Sequence, residues 1–181
     1  MTTFYFVRHG EMDNSMAGKL FYQEFAQNMM ALTEKGVAQI HETAKDPRLK
    51  DAKIIISSPF SRALHSAAIL SKELYLEIKV EPEVHEWLPN VETYRWVGQE
   101  VADNAYKELV ENHGVHPEGK KCTWESTEMM KTRVKRVLEK YLDYDKVIVV
   151  CHGTLMQFIL DSHHAANGEI METSWEEFIK D

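Results

Sequence analysis

Three short runs of β-branched and aromatic residues constrain this chain more than anything else in it: FYFV at 4–7, III at 54–56 and VIVV at 147–150. None alternates apolar with polar. A strand that is apolar at every position has both faces covered, as in a parallel sheet flanked by helices. A shorter run, IKVEP at 78–82, reads as one more strand. Helical patterns fill the gaps. LTEKGVAQIHETAK offers Thr33 as N-cap, with Val37, Ile40 and Ala44 at helical spacing. SSPFSRALHSAAILSKEL offers Ser58 as N-cap and Pro59 at the first helical position, with Ala63, Ala67, Leu70 and Leu74 on one face. GTLMQFIL continues directly from the third run, and residues 101–110 and 126–141 are amphipathic. Strands alternating with helices predict an α/β three-layer sandwich, a mostly parallel sheet with helices on both faces. Residues 15–31 lack a period and are expected to form a mobile loop or irregular helix over one end of the sheet.

Composition narrows the function classes. The 181 residues fit a single domain spanning 1–181, with 44% hydrophobic and 28% charged content. A net charge of −8 invites neither DNA nor RNA, so any phosphorylated ligand must be drawn by local cations. Two cysteines, Cys122 and Cys151, form no CxxC spacing and no disulfide framework, which fits a reducing compartment. The opening MTTFYFVRHG has no basic region ahead of its apolar run and no small-residue cleavage site after it, and no stretch is long enough for a membrane span. A soluble cytoplasmic protein, without nucleic-acid or membrane partners, is expected; oligomeric state is left open.

The residues at the end of each strand carry the chemistry. Arg8 and His9 come after the first, Ser57, Ser58 and then Arg62 after the second, and Cys151, His152 and Gly153 after the third. In an open parallel sheet these ends share one edge, where ligands bind. Topology thus gathers two arginines and two histidines, with helix N-termini near Pro59 and Gly153 adding N–H groups. A phosphoryl dianion is the ligand such a pocket suits.

The ordered blocks VRHGE, LTEKG, SSPFSRALHSAAIL and VVCHG, over residues 4–153, resemble the histidine phosphatase superfamily, with its phosphoglycerate-mutase-like fold. The resemblance implies a hydrolase of the phosphatase branch that needs no metal and no cofactor and acts on a small phosphomonoester. His9 would be the nucleophile, passing through a phosphohistidine. Arg8 and Arg62 would hold phosphoryl oxygens. His152, cationic once phosphate is bound, would stabilise charge on the transferring group. Gly10 and Gly153 would let backbone approach at the pocket floor. Glu86, in EPEVHEWLPN, is carried over as general acid; Glu83 and Glu11 are its rivals. The chain departs from the family where Met12 replaces a threonine and Ser15 stands in an asparagine's place, still able to donate to phosphate. WESTEMMKTRV echoes a further family block, and the short C-terminus is given no role at the phosphate site.

Other residues receive plainer readings. His41, His65, His113, His116, His163 and His164 are taken as solvated, not as metal ligands. Cys151 reads as a buried inert thiol. Trp87 and Trp96 either touch substrate or pack, and KTRVKR at 131–136 reads as a solvated face. Two alternatives stand beside the phosphatase. A mutase requires basic residues between the Arg62 helix and His152 to grip a carboxylate, and residues 88–123 offer Arg95, Lys107, Lys120 and Lys121. A catalytically idle phosphate-binding module is the other.

Overall fold

A computed structural model describes residues 1–93 and 97–180. Strand β1 (Thr3–Arg8) leads through a loop and a 3₁₀ turn (Glu24–Met29) to α1 (Glu34–Thr43), then β2 (Ile54–Ser57), α2 (Ser61–Leu74) and β3 (Ile78–Val80). Helices α3 (Gln99–Glu111) and α4 (Thr127–Leu138) follow, then β4 (Lys146–Cys151), α5 (Gly153–Ile159), β5 (Ile170–Ser174) and α6 (Trp175–Phe178). The sheet order is β3-β2-β4-β1-β5; every pairing is parallel except the edge pair β1–β5. The expected mostly parallel sheet is present. Strand β5 had no sequence signal, because IMETS is half polar and only its first two residues are buried.

Alternation along the strands makes the three layers. Phe4, Phe6, Ile54, Ile56, Val147 and Val149 face α3, α4, α5 and α6, where Leu109, Met130, Val134 and Leu155 meet them. Tyr5, Val7, Ile55, Ile148 and Val150 face the other way, against Ile40 of α1 and Ala63, Ala67 and Leu70 of α2. The three runs at 4–7, 54–56 and 147–150 are therefore apolar at every position because each face has its own core. No helix among the described residues is long and apolar enough to cross a membrane.

Local signals fare unevenly. Thr33 caps α1 as its pattern predicts, accepting from Gly36 N–H. Ser58 does not cap α2: the helix starts later, at Ser61, with Phe60 as N-cap and no side-chain cap. The reason is tertiary, since Ser58 Oγ lies 2.8 Å from His152 Nε2. The reading of 131–136 as a solvated face fails at Arg133, which is 6% exposed and ion-paired to the equally buried Glu125. Trp96 and Arg95 lie outside the described residues.

Candidate active site

Register assembles the site. Arg8 pairs with Cys151 and Ser57 with Val150, so His9, Ser58 and His152 leave the sheet side by side. The backbone ladder runs one step further, through His9 N–H to Cys151 O and Ser58 N–H to Val150 O. The rings of His9 and His152 meet edge to face with centroids 5.3 Å apart. A cavity of about 400 Å³ opens over this edge, lined at its deep end by Arg8, His9, Arg62 and Glu86.

His9 is 6% exposed and its two ring nitrogens have different partners. Nδ1 lies 2.7 Å from Gly10 O, which can only accept, so Nδ1 carries the proton. Nε2 accepts from Arg62 Nε at 3.1 Å. Burial, with Arg62 and Arg8 close by, pulls the His9 pKa down to about 3. The ring is a neutral base with its lone pair on Nε2, the protonation state a nitrogen nucleophile needs.

Arg62, from the first turn of α2, also donates from Nη1 to Asn28 Oδ1 at 2.9 Å. Its guanidinium lies 5.0 Å from the Phe60 ring centroid. Burial lowers it only to about 10, so it remains a cation. Arg8 donates from Nη1 to Ala165 O, and its Nε is buried without a partner among the described residues. His152 is fully buried; burial, then Arg62 and His9, push its pKa well below the usual value. Its ring is therefore neutral, and only an anion set beside it would favour the imidazolium. His152 Nδ1, like Arg8 Nε, has no partner among the described residues, although buried polar atoms ordinarily have one.

The three candidate carboxylates separate. Glu86 lines the cavity, and its Oε1 accepts from the N–H groups of Trp87 at 2.8 Å and Leu155 at 2.9 Å. Those two bonds saturate Oε1 and make Oε2 the oxygen available for a proton. Glu11 also lines the cavity but is tied to Lys35 at 2.7 Å and Thr33 at 3.0 Å. Glu83 faces α4 instead, 3.6 Å from Arg136.

Ser15 is exposed and outside the cavity lining; its neighbour Asn14 lines the cavity. The glycines serve packing. A Cβ on Gly10 would sit 2.4 Å from Gly36 O, and one on Gly153 would sit 3.0 Å from Arg8 Nε and 2.7 Å from the His164 ring. Gly153 thus leaves room for Arg8 and the His164 ring. Cys151 is buried and its thiol is pushed up by that burial, so it stays protonated. Trp87 is buried with its indole N–H on Glu125 O, yet it lines the cavity as well.

Two amides escaped the sequence reading. Asn28 reaches Arg62 from the 3₁₀ turn, and Asn167 Nδ2 donates to His9 O at 2.9 Å. The Asn167–Gly168 pair marks a turn in sequence, and Gly168 has φ +77°, but nothing local says where the amide points. The C-terminal segment therefore does touch the site.

A family model described as the histidine phosphatase superfamily (branch 1) matches residues 4–174. No curated protein matches the chain significantly. Among solved structures, a mycobacterial glucosyl-3-phosphoglycerate phosphatase complexed with VO3 is 16% identical at TM-score 0.70, covering 98% of this chain and 94% of its own. A putative alpha-ribazole-5'-P phosphatase from Escherichia coli is 20% identical at TM-score 0.62, covering 94% and 89%. A protein from Thermus thermophilus is 23% identical at TM-score 0.65, covering 96% and 94%. These likenesses extend over nearly the whole fold, and the family model spans all the strand ends that build the cavity. The chain belongs to the histidine phosphatase superfamily.

Proposed function

We propose that this protein is a metal-independent phosphomonoesterase that works through phosphorylated His9. The observation that carries the reading is His9 itself: buried, neutral, with Nδ1 protonated on Gly10 O and Nε2 bare except for Arg62. Nε2 attacks phosphorus; the P–N bond forms and the P–O bond to the alcohol breaks. Glu86 supplies the proton that the departing alkoxide takes. Water then attacks the phosphohistidine, Glu86 recovers a proton from it, and phosphate leaves with His9 restored. Arg8 and Arg62 carry the charge of the nonbridging oxygens, with His152 beside them. These cations fill the place a metal takes elsewhere. Among the described residues no group of three His, Cys, Asp or Glu side chains is arranged to hold one.

The outer cavity bears on the alcohol. Among the described lining residues the only cations are Arg8 and Arg62, at the phosphoryl end. Beyond them come Glu11 and Glu24, the amides of Asn14, Gln27 and Asn90, and an apolar wall of Met12, Leu88 and Pro89. Amides and carboxylates recognise hydroxyl groups, and the carboxylates repel a second anion, so the alcohol is small, hydroxylated and uncharged. Lys107, Lys120 and Lys121, which a mutase would use, pair with Glu111, Glu108 and Glu92 at 3.7, 2.8 and 2.7 Å. An idle phosphate-binding module would have no use for a histidine held neutral between two arginines.

The test is phosphoenzyme trapping in excess EDTA. A radioactive phosphomonoester should leave acid-labile, base-stable label on His9, absent from His9→Ala. Label on a serine, or turnover lost in chelator and restored by a divalent ion, would overturn the mechanism.

A further inference from the structure

We infer that the buried Arg133–Glu125 pair is a positioning device for the Glu86 carboxyl; the inference rests on the reading of Glu86 as proton donor. Arg133, on α4, is 6% exposed and Glu125 is 3% exposed. Arg133 grips both carboxylate oxygens, Nε to Oε1 at 2.6 Å and Nη2 to Oε2 at 3.0 Å. Its remaining nitrogen, Nη1, donates to Glu83 O. Glu125 in turn takes hold of the other end of the same loop. Its Oε2 accepts from Leu88 N–H at 3.3 Å, its N–H donates to Leu88 O at 2.9 Å, and its carbonyl accepts from Trp87 Nε1 at 2.8 Å. One ion pair therefore fixes the segment at Glu83, ahead of Glu86, through Arg133, and at Leu88, behind it, through Glu125.

Glu86 sits inside that span with its carboxylate on Leu155 N–H at 2.9 Å, at the start of α5 and next to His152. The loop is thus pinned on the α4 side and its one cavity-facing carboxyl on the α5 side. A buried ion pair is a poor way to gain stability, since well-packed apolar residues commonly do as well. What apolar residues cannot supply is direction. A planar fork with five donors holds the Glu125 carboxylate and the Glu83 carbonyl at a set separation, and Glu125 carries Leu88 with it. Proton delivery demands that: a donor displaced by 1 Å loses on the order of 100-fold in rate.

Removing one partner strands a buried charge, so the informative variant removes both. Glu125→Met with Arg133→Met should melt cooperatively and bind vanadate with unchanged affinity, because Arg8, His9 and Arg62 are untouched. Phosphorylation of His9 by glycerol 2-phosphate in a single turnover should fall about 100-fold, and by p-nitrophenyl phosphate only a few-fold, because p-nitrophenolate needs little protonation. Placed on a Glu86→Gln background, the double substitution should add no further loss. Arg133→Lys, which keeps the charge but not the fork, should show the same substrate bias more weakly, and it takes over as the test if the double variant does not fold. Equal loss on both substrates, no loss on either, or additive loss on the Glu86→Gln background would overturn the inference. If Glu86→Gln alone shows no substrate bias, the assignment of Glu86 as acid fails instead.

Discussion

Arg62 Nε lies 3.1 Å from His9 Nε2, across a sequence separation of 53 residues, while Nδ1 of the same ring lies 2.7 Å from Gly10 O. The two contacts fix the tautomer and mark which nitrogen carries the lone pair. In the proposed mechanism they also place a cation where charge gathers when that nitrogen meets phosphorus. Arg62 would need only to pass its N–H from nitrogen to a phosphoryl oxygen, with little reorganisation at the moment of reaction.

Substituting Arg62 therefore changes rate and protonation together. Arg62→Lys retains charge but cannot serve both His9 and Asn28, and kcat/KM for p-nitrophenyl phosphate should fall about 100-fold or more. In Arg62→Met the cation beside His9 is gone, so the acid limb of kcat/KM should move upward from its very low position. An unmoved limb would mean that His9 is not the group being titrated.

Glu86→Gln keeps size and accepting capacity but cannot deliver a proton. Single-turnover phosphorylation by an alkyl phosphate should slow by about 100-fold to 10,000-fold, the span of general acid catalysis, with p-nitrophenyl phosphate much less affected. Glu11→Gln and Glu83→Gln should show no such bias, since Glu11 is tied to Lys35 and Glu83 faces Arg136. Equal losses on both substrates for Glu86→Gln would leave that residue only a packing role.

The buried histidines set a pH dependence of stability. His9 and His152 have folded pKa values below the unfolded 6.5, His9 at about 3, so the unfolded chain binds more protons between these limits. Stability is then complete above pH 6.5 and is lost as pH falls toward 3. Thermal melts from pH 7 to pH 4 should show a falling midpoint, about 2–4 °C for each kcal/mol lost in a chain of this size. His9→Asn, which cannot titrate, should flatten part of that slope. A slope of the same size in the variant would place the effect elsewhere.

Charge at the outer cavity predicts selectivity. Glycerol 2-phosphate and 2-phosphoglycerate differ chiefly by one carboxylate, and Glu24 and Glu11 line the cavity that would receive it. Glycerol 2-phosphate, the ester of the uncharged alcohol, should have the higher kcat/KM by about tenfold, roughly 1.4 kcal/mol. Glu24→Gln should narrow the gap. Preference for the acid would favour the mutase reading.

The core strands, and the side chains that stand at their ends, were legible locally. Runs such as 54–56 are apolar on both faces, a pattern that only a doubly covered sheet requires, and Arg8, His9 and His152 are fixed to that sheet's edge by chain continuity. Thr33 was legible because its cap bond spans only to Gly36. What the tertiary structure decided is who partners whom. His9 Nε2 meets Arg62; Glu11, Glu83 and Glu86 meet Lys35, Arg136 and Leu155 N–H respectively; and Ser58 meets His152. Arg133 reads as a surface charge because helical periodicity reports which face a side chain occupies, not that Glu125 waits there to neutralise it. Asn28 and Asn167 reach the site from opposite ends of the chain, and no local pattern encodes a hydrogen bond closed over 158 residues.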